Sequence, residues 1–266
     1  MSLPQALLDT YDSHVVSHEP LHGGDLSEVA LVTLGNGDRL VAKRGPLVDA
    51  EGRMLSAMRM LYAPVPEVIH VEHGLLCMEY LEEATPGPRR WREFGTALAR
   101  MHSWAGQGYG WNEDYAFGSL RIENETLPTW PEFWAERRLL PFLPNLPAEL
   151  GQRIEALAAR VGERLPRDPN PALLHGDLWT GNLLFTKDQA VMIDPACYYG
   201  HSEVDLAMLT LFGEPDTAFW RGYGKLEPGY SEREAIYKLW PALVHLTLFG
   251  DSYRPMVERF LADAEM

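Results

Sequence analysis

A chain of 266 residues with 46% apolar side chains can bury a substantial core, and its length suits one two-lobed unit better than several independent domains. Its formal net charge of −15 argues against nucleic acid and anionic membranes as partners, since binding to either rests on clustered lysine and arginine. Two cysteines are too few for a disulfide framework. No secretory signal follows Met1, and no apolar run approaches the ~20 residues that span a bilayer, so the expected compartment is the cytoplasm.

In chain order, Leu21 to Val32 reads as a glycine turn leading into a strand. Gly23 and Gly24 let backbone amides approach a phosphate without a Cβ in the way, and Ser27 adds a hydroxyl or its own amide. The turn Gly35-Asn36-Gly37-Asp38 separates this run from a second apolar strand, Leu40-Val41-Ala42-Lys43, which ends on a cation. Glu51 follows in a segment whose apolar positions 50, 54, 55 and 58 fit one helical face, so a helix beside the sheet could pair Glu51 with Lys43. Taken alone, Lys43 and Glu51 read as two solvated charges.

Next comes a strand, Gly74-Leu75-Leu76-Cys77-Met78, running into the polar connector Glu79-Tyr80-Leu81-Glu82. The stretch Ala84-Thr85-Pro86-Gly87-Pro88 marks a boundary, dividing the chain into 1–83 and 84–266. Beyond about residue 90 the pattern turns helical, interrupted by Pro128, Pro131, Pro141, Pro144 and Pro147 and by a hairpin around 173–194. His102, on a helix of this part, is expected in the core. No internal repeat is evident.

The chemistry concentrates in Leu174-His175-Gly176-Asp177-Leu178-Trp179-Thr180-Gly181-Asn182 and in Val191-Met192-Ile193-Asp194. Asp177 and Asn182 lie in one short loop, and Asp194 ends the β-rich run that follows, so a hairpin can gather all three. The order His-x-Asp-x-x-x-x-Asn followed by a metal-binding Asp is the kinase-type arrangement for moving a phosphoryl group onto a hydroxyl. Such transfer needs an oriented acceptor oxygen and cations to absorb phosphate charge. Asp177 would orient or deprotonate the acceptor. Asn182 and Asp194 supply the hard oxygen ligands that Mg²⁺ takes beside nucleotide phosphates. Each of the three is equally at home in an ordinary turn. With Lys43 and Glu51 upstream the set reads as an ATP and Mg²⁺ site, in which Lys43 meets the α/β-phosphates, backbone around Glu79, Tyr80 and Leu81 meets the adenine edge, and Met78 borders its pocket.

These motifs resemble the fructosamine kinase family, a branch of the aminoglycoside and choline kinase-like enzymes. His175-Gly176-Asp177-Leu178-Trp179-Thr180-Gly181-Asn182 carries the family's tryptophan after Asp-Leu, and Asp194-Pro195-Ala196-Cys197-Tyr198-Tyr199-Gly200-His201-Ser202-Glu203-Val204-Asp205-Leu206-Ala207-Met208 is similar to its Asp-Pro-Ala-x-Tyr-Tyr-Gly block. Gly110-Trp111, Phe133-Trp134, Arg138-Leu139 and Leu243 to Gly250 extend the likeness over nearly the whole chain. The resemblance implies an α+β, bilobal protein-kinase-like fold: a small N-terminal lobe of antiparallel sheet plus one helix, and a larger, mainly helical C-terminal lobe. It also implies an acceptor hydroxyl at the sugar 3-position of a fructosamine or related ketosamine, small or protein-bound. The surplus acid would attract the amine of such an acceptor.

Trp179, Tyr198, Tyr199, His201 and Glu203 are expected on the acceptor side, with core packing the equal alternative for the tyrosines. Asp205, ahead of the apolar run Leu206 to Leu211, is expected to brace the catalytic loop's backbone, and Cys197 to be a small buried hydrophobe. Departures from the family pattern are Glu214 in place of a glycine and a loosely matching segment, Gly118 to Asn124. The glycine loop also lacks the cysteine that some relatives carry, so redox-controlled dimerisation is not expected, and a monomer is preferred. An aminoglycoside-, choline- or homoserine-type kinase would share the catalytic set. A silent pseudokinase module would be expected to have lost one of Lys43, Asp177, Asn182 and Asp194, and all four are present.

Overall fold

The computed structural model describes residues 15–21 and 27–266. An antiparallel sheet of five strands opens the fold: β1 (Val15–Pro20), β2 (Glu28–Leu34), β3 (Arg39–Arg44), β4 (Val68–Glu72) and β5 (Leu75–Glu79), in the order β1-β2-β3-β5-β4. Side chains alternate across a strand, and the sequence uses this to build two faces. Ala30, Val32, Leu40, Ala42, Leu75 and Cys77 form one buried cluster. Leu76 and Met78, on the opposite face of β5, pack beneath helix α1 (Val48–Met60) with Met54, Leu55 and Met58.

α1 buries the side predicted from its apolar spacing, and Glu51 with it. Gly52 sits where α1 crosses β4, and a Cβ there would stand 2.7 Å from a methyl of Val71. The absent side chain therefore sets how closely α1 approaches the sheet.

After a coil the chain enters α2 (Pro88–His102), with the hairpin β6 (Tyr115–Phe117) and β7 (Leu120–Ile122) beyond it. The proline-punctuated middle folds as expected into short pieces: α3 (Trp130–Trp134), a π turn over Ala135–Leu139, and a 3-10 turn over Leu140–Asn145 before α4 (Ala148–Arg160). Three short strands frame the loop 175–182: β8 (Ala172–Leu174), β9 (Leu183–Phe185) and β10 (Ala190–Met192). β11 (Tyr198–Gly200) returns to pair with β8, while β9 pairs with β10. α5 (Glu203–Leu209), α6 (Thr217–Tyr223), α7 (Tyr230–Phe249) and α8 (Arg254–Glu265) complete the chain.

The two lobes share packing. One buried cluster runs from Met54 and Leu55 of α1 through Trp91, Phe94 and Leu98 of α2 to Phe219 of α6. A second cluster, around Trp130, Trp134, Tyr237 and Trp240, fills the helical lobe alone. No helix among the described residues is long and apolar enough to cross a membrane.

Candidate active site

Lys43 sits near the end of β3, opposite Val29 of β2 and Leu76 of β5, so its position is fixed on both sides by ladder pairing. Its ammonium donates to Glu51 Oε1 of α1 at 2.7 Å and also contacts Asp194 Oδ1. Lys43 and Glu51 are both buried, Asp194 is half-exposed, and the three groups join sheet, helix and C-terminal lobe at one point. Burial pulls the Lys43 pKa down, but the Glu51 and Asp194 carboxylates outweigh it and hold the amine above the ordinary lysine range. The cation is therefore present at any physiological pH.

The loop 175–182 is held from beneath by Asp205. This buried carboxylate, in the first turn of α5, accepts the His175 N–H at 2.8 Å and the Gly176 N–H at 3.0 Å. It braces the loop as the sequence suggests. Gly176 has φ of +81°, and a Cβ on it would run into the Ala196 carbonyl, so the loop can turn here only with glycine. His175 fastens the other side: Nδ1 accepts the Asp177 N–H at 3.2 Å, which leaves Nε2 to donate to the Ile193 carbonyl at 2.9 Å. Asn182, at the end of a 3-10 turn, donates its amide to the Asp177 carbonyl at 2.8 Å and to Asp177 Oδ2 at 3.0 Å. Its backbone carbonyl takes the Ile193 N–H at 3.0 Å, and Asp194 follows with φ of +56°, an uncommon left-handed setting for a side-chain-bearing residue.

Burial raises the Asp177 carboxyl to about 7; the Asn182 amide opposes the shift, and the charges of Asp194 and Asp205 add to it. A carboxylate tuned toward neutrality beside a lysine-neutralised acidic pair is suited to accept a proton from, or orient, a hydroxyl. The donor set fits Mg²⁺: with its amide nitrogen committed to Asp177, Asn182 retains its side-chain oxygen, and Asp194 adds a carboxylate.

The remaining predicted positions separate into those at the cleft and those away from it. Gly23 and Gly24 lie outside the described residues, and Ser27 is half-buried immediately ahead of β2. Met78 is buried under α1, Glu79 ends β5, and Tyr80 and Leu81 follow as half-buried connector residues, with the Arg39 guanidinium 3.9 Å from the Tyr80 ring centroid. Trp179 is 38% exposed, its ring edge-on to Phe212 at 5.9 Å, and Tyr199 is half-buried against Trp111.

Three expected acceptor-side residues are instead turned into the helical lobe. Tyr198 stacks on Phe133 and lies 4.2 Å from the Arg138 guanidinium. His201 meets the Tyr237 hydroxyl at 2.7 Å, and Glu203 is gripped by Arg233 at 2.5 and 2.7 Å. The physical reason is periodicity. β11 sends successive residues to opposite faces, so only Tyr199 of the pair can look outward, and the first turn of α5 faces the core.

His102 is buried between Tyr223 and Asp205, and Cys197 is buried with its N–H directed at Met54 Sδ. Sequence reasoning missed Arg53, Glu113 and Arg138. No local pattern marks a partnership between residues 60 apart, and Arg138 had drawn notice only as part of an Arg-Leu pair.

A family model described as fructosamine kinase matches residues 5–265. The probable ketoamine kinase of Synechocystis sp. is 37% identical over 83% of this chain and 79% of its own length. The crystal structure of a candidate fructosamine-3-kinase from Thermobifida fusca superposes with a TM-score of 0.92 at 32% identity, covering 99% of this chain and 98% of that one. Macrolide 2'-phosphotransferase type I, at 17% identity and a TM-score of 0.62 over 97% and 93% of the two chains, shares the two-lobed kinase-like fold.

Proposed function

The chain belongs to the fructosamine kinase family, and from that premise we propose that it transfers the γ-phosphoryl group of ATP to the sugar 3-hydroxyl of a ketosamine. The observation that carries this reading is the convergence of Lys43, Glu51 and Asp194 beside an Asp177 carboxylate held by Asn182. Lys43, aimed by Glu51, binds the α/β-phosphates. Backbone at Glu79 to Leu81 receives the adenine edge, Met78 borders it, and Ser27 with Gly23 and Gly24 covers the phosphates. Asn182 and Asp194 are the residues that would hold Mg²⁺, which supplies charge neutralisation for the phosphates when bound. Asp177 orients the acceptor hydroxyl for in-line attack on the γ-phosphorus and takes its proton as the new P–O bond forms and ADP leaves.

On the acceptor side the reading narrows to Trp179 and Tyr199, the expected residues that stay at least partly exposed, with the exposed Phe212 ring edge-on to Trp179. Residues 1–83 serve as the nucleotide lobe and 84–266 as the catalytic and acceptor lobe. Free glycated amino acids and glycated proteins both present the same sugar and amine. A cytoplasmic monomer accords with two buried cysteines that no disulfide joins.

The deciding experiment is an acceptor screen by coupled ADP release with fructosyl-lysine, ribulosyl-lysine, choline and an aminoglycoside. Turnover on choline or the aminoglycoside but on neither ketosamine would overturn the acceptor. ATP binding without ADP release on any of them would indicate a silent nucleotide-binding module.

A further inference from the structure

α1 is more than a support for Glu51, because it is fastened to the C-terminal lobe at several points, on its buried and its outer side. In its middle, Met54 Sδ accepts the buried Cys197 N–H at 3.3 Å. Just past its end, the Tyr62 carbonyl accepts Arg100 Nη2 of α2 at 2.6 Å. Two residues on from Glu51, and so on the opposite side of the helix, Arg53 donates to Glu113 in the two-pronged manner of a guanidinium on a carboxylate, Nε to Oε1 at 2.8 Å and Nη2 to Oε2 at 2.5 Å. A fork on a carboxylate fixes direction as well as distance, which a single-point contact does not.

Glu113 belongs to a segment that is itself tied down. Its carbonyl accepts the Asn124 amide at 3.2 Å, and the neighbouring Asp114 takes Arg121 at 2.6 and 3.0 Å and the Asn124 N–H at 2.9 Å. The Asn124 side-chain oxygen in turn accepts from Arg138 Nη2 at 2.7 Å. The Arg138 guanidinium is fully buried against the rings of Phe133, Tyr198 and Trp240. Polar contacts at either side of α1 therefore link Lys43 and Glu51, through the helix backbone, to Arg53, Glu113, Asn124 and Arg138. They end on Tyr198, four residues after Asp194.

We propose that Arg53 and Glu113 are positioning residues for phosphoryl transfer, a latch that holds the Glu51-bearing helix in register with the β6–β7 hairpin of the C-terminal lobe. This rests on the assignment of Lys43 and Glu51 to the nucleotide. Neither latch residue touches a reacting atom. Their effect passes through α1: with the fork closed, Glu51 is held where it aims Lys43; with it open, the outer side of α1 is released while Met54 and the apolar contacts keep the helix folded. The Arg53 and Glu113 side chains are 54% and 28% exposed, so the fork is reached by salt in a way the buried Lys43–Glu51 pair is not.

The test uses the full chain with fructosyl-lysine and ATP. Arg53→Gln and Glu113→Gln should each lower kcat about three- to ten-fold at low ionic strength with little change in the KM for ATP or in melting temperature, the scale expected of a partly exposed charged fork. The ratio of wild-type to variant kcat should shrink toward one as salt rises to about 0.5 M, because screening opens the wild-type fork as well. The exchanged pair, Arg53→Glu with Glu113→Arg, should recover most of the lost kcat. Full kcat in both single variants at low salt would overturn the latch, as would an exchange no better than either single change. Lys43→Ala separates this from the underlying assignment: if it turns over normally, the nucleotide site itself is misplaced, whereas a dead Lys43→Ala beside unaffected Arg53→Gln condemns only the latch.

Discussion

The Asn182 amide donates to both the carbonyl and the carboxylate of Asp177, at 2.8 and 3.0 Å, so the residue proposed to hold the cation also sets the rotamer of the residue proposed to meet the acceptor. Removing the carboxylate alone should therefore separate binding from chemistry. Asp177→Ala is expected to lower turnover by ~10²–10⁴-fold, the usual contribution of a positioned base. Nucleotide affinity measured calorimetrically should stay within a few-fold of wild type. Near-normal turnover would remove Asp177 from the acceptor-orienting role.

The Asp177 carboxyl, raised to about 7 chiefly by burial, predicts a pH dependence. The reactive form is the carboxylate, so kcat/KM for the acceptor should climb as pH rises through about 7 and level off above it. The Asn182 amide bond favours the charged form, and its loss in Asn182→Ala should move that rising limb to higher pH as well as weaken metal dependence. A limb that stays in place would show that another group governs it.

Asp205 bears on stability more directly than on chemistry. It is fully buried and accepts the backbone N–H groups of His175 and Gly176, so Asp205→Ala strands both donors. The expected loss is about 3 kcal/mol, since a buried unsatisfied donor costs ~1–3 kcal/mol, with turnover falling as the loop loosens. Chemical denaturation would measure it. A variant as stable as wild type would mean that the loop holds its shape without the carboxylate.

Acid lability should trace in part to His201. Burial, with Arg233 and His102 adding to it, pushes this imidazole down to about 3. The unfolded chain takes up a proton below about 6.5 that the folded state refuses, so the stability from the neutral ring is complete above that pH and declines as pH falls toward 3. At pH 5 the decline amounts to about 2 kcal/mol. His201→Asn should be less stable than wild type near pH 7, and the gap should narrow by about that amount at pH 5. A gap constant with pH would contradict the shift.

Residues with local signatures were legible before any coordinates. Lys43 closes an alternating strand, Glu51 falls on a helical face, and Asp177, Asn182 and Asp194 keep fixed spacing, so each could be placed from its neighbours. Asp205 was legible too, because a carboxylate ahead of an apolar run marks a helix start. Tyr198, His201 and Glu203 follow closely on Asp194 in sequence but do not share its orientation, since β11 and α5 rotate them into the core. Arg138 was illegible in a stronger sense. A charged side chain reads as surface, and only the surrounding rings of Phe133, Tyr198 and Trp240, brought from three separate segments, make an interior position tolerable.

The Lys43 contact with Asp194 closes a loop of 151 residues, whereas its partner Glu51 is only 8 away. Closing so long a stretch carries an entropic cost that local pairing avoids, and contacts of this separation form slowly. A refolding or newly made chain can thus assemble sheet, α1 and the Lys43–Glu51 pair from its first third, yet has nowhere to bring a phosphate and an acceptor together until the last strands dock. Competence is therefore expected late in folding, and a fragment that stops short of Asp194 should be catalytically inert.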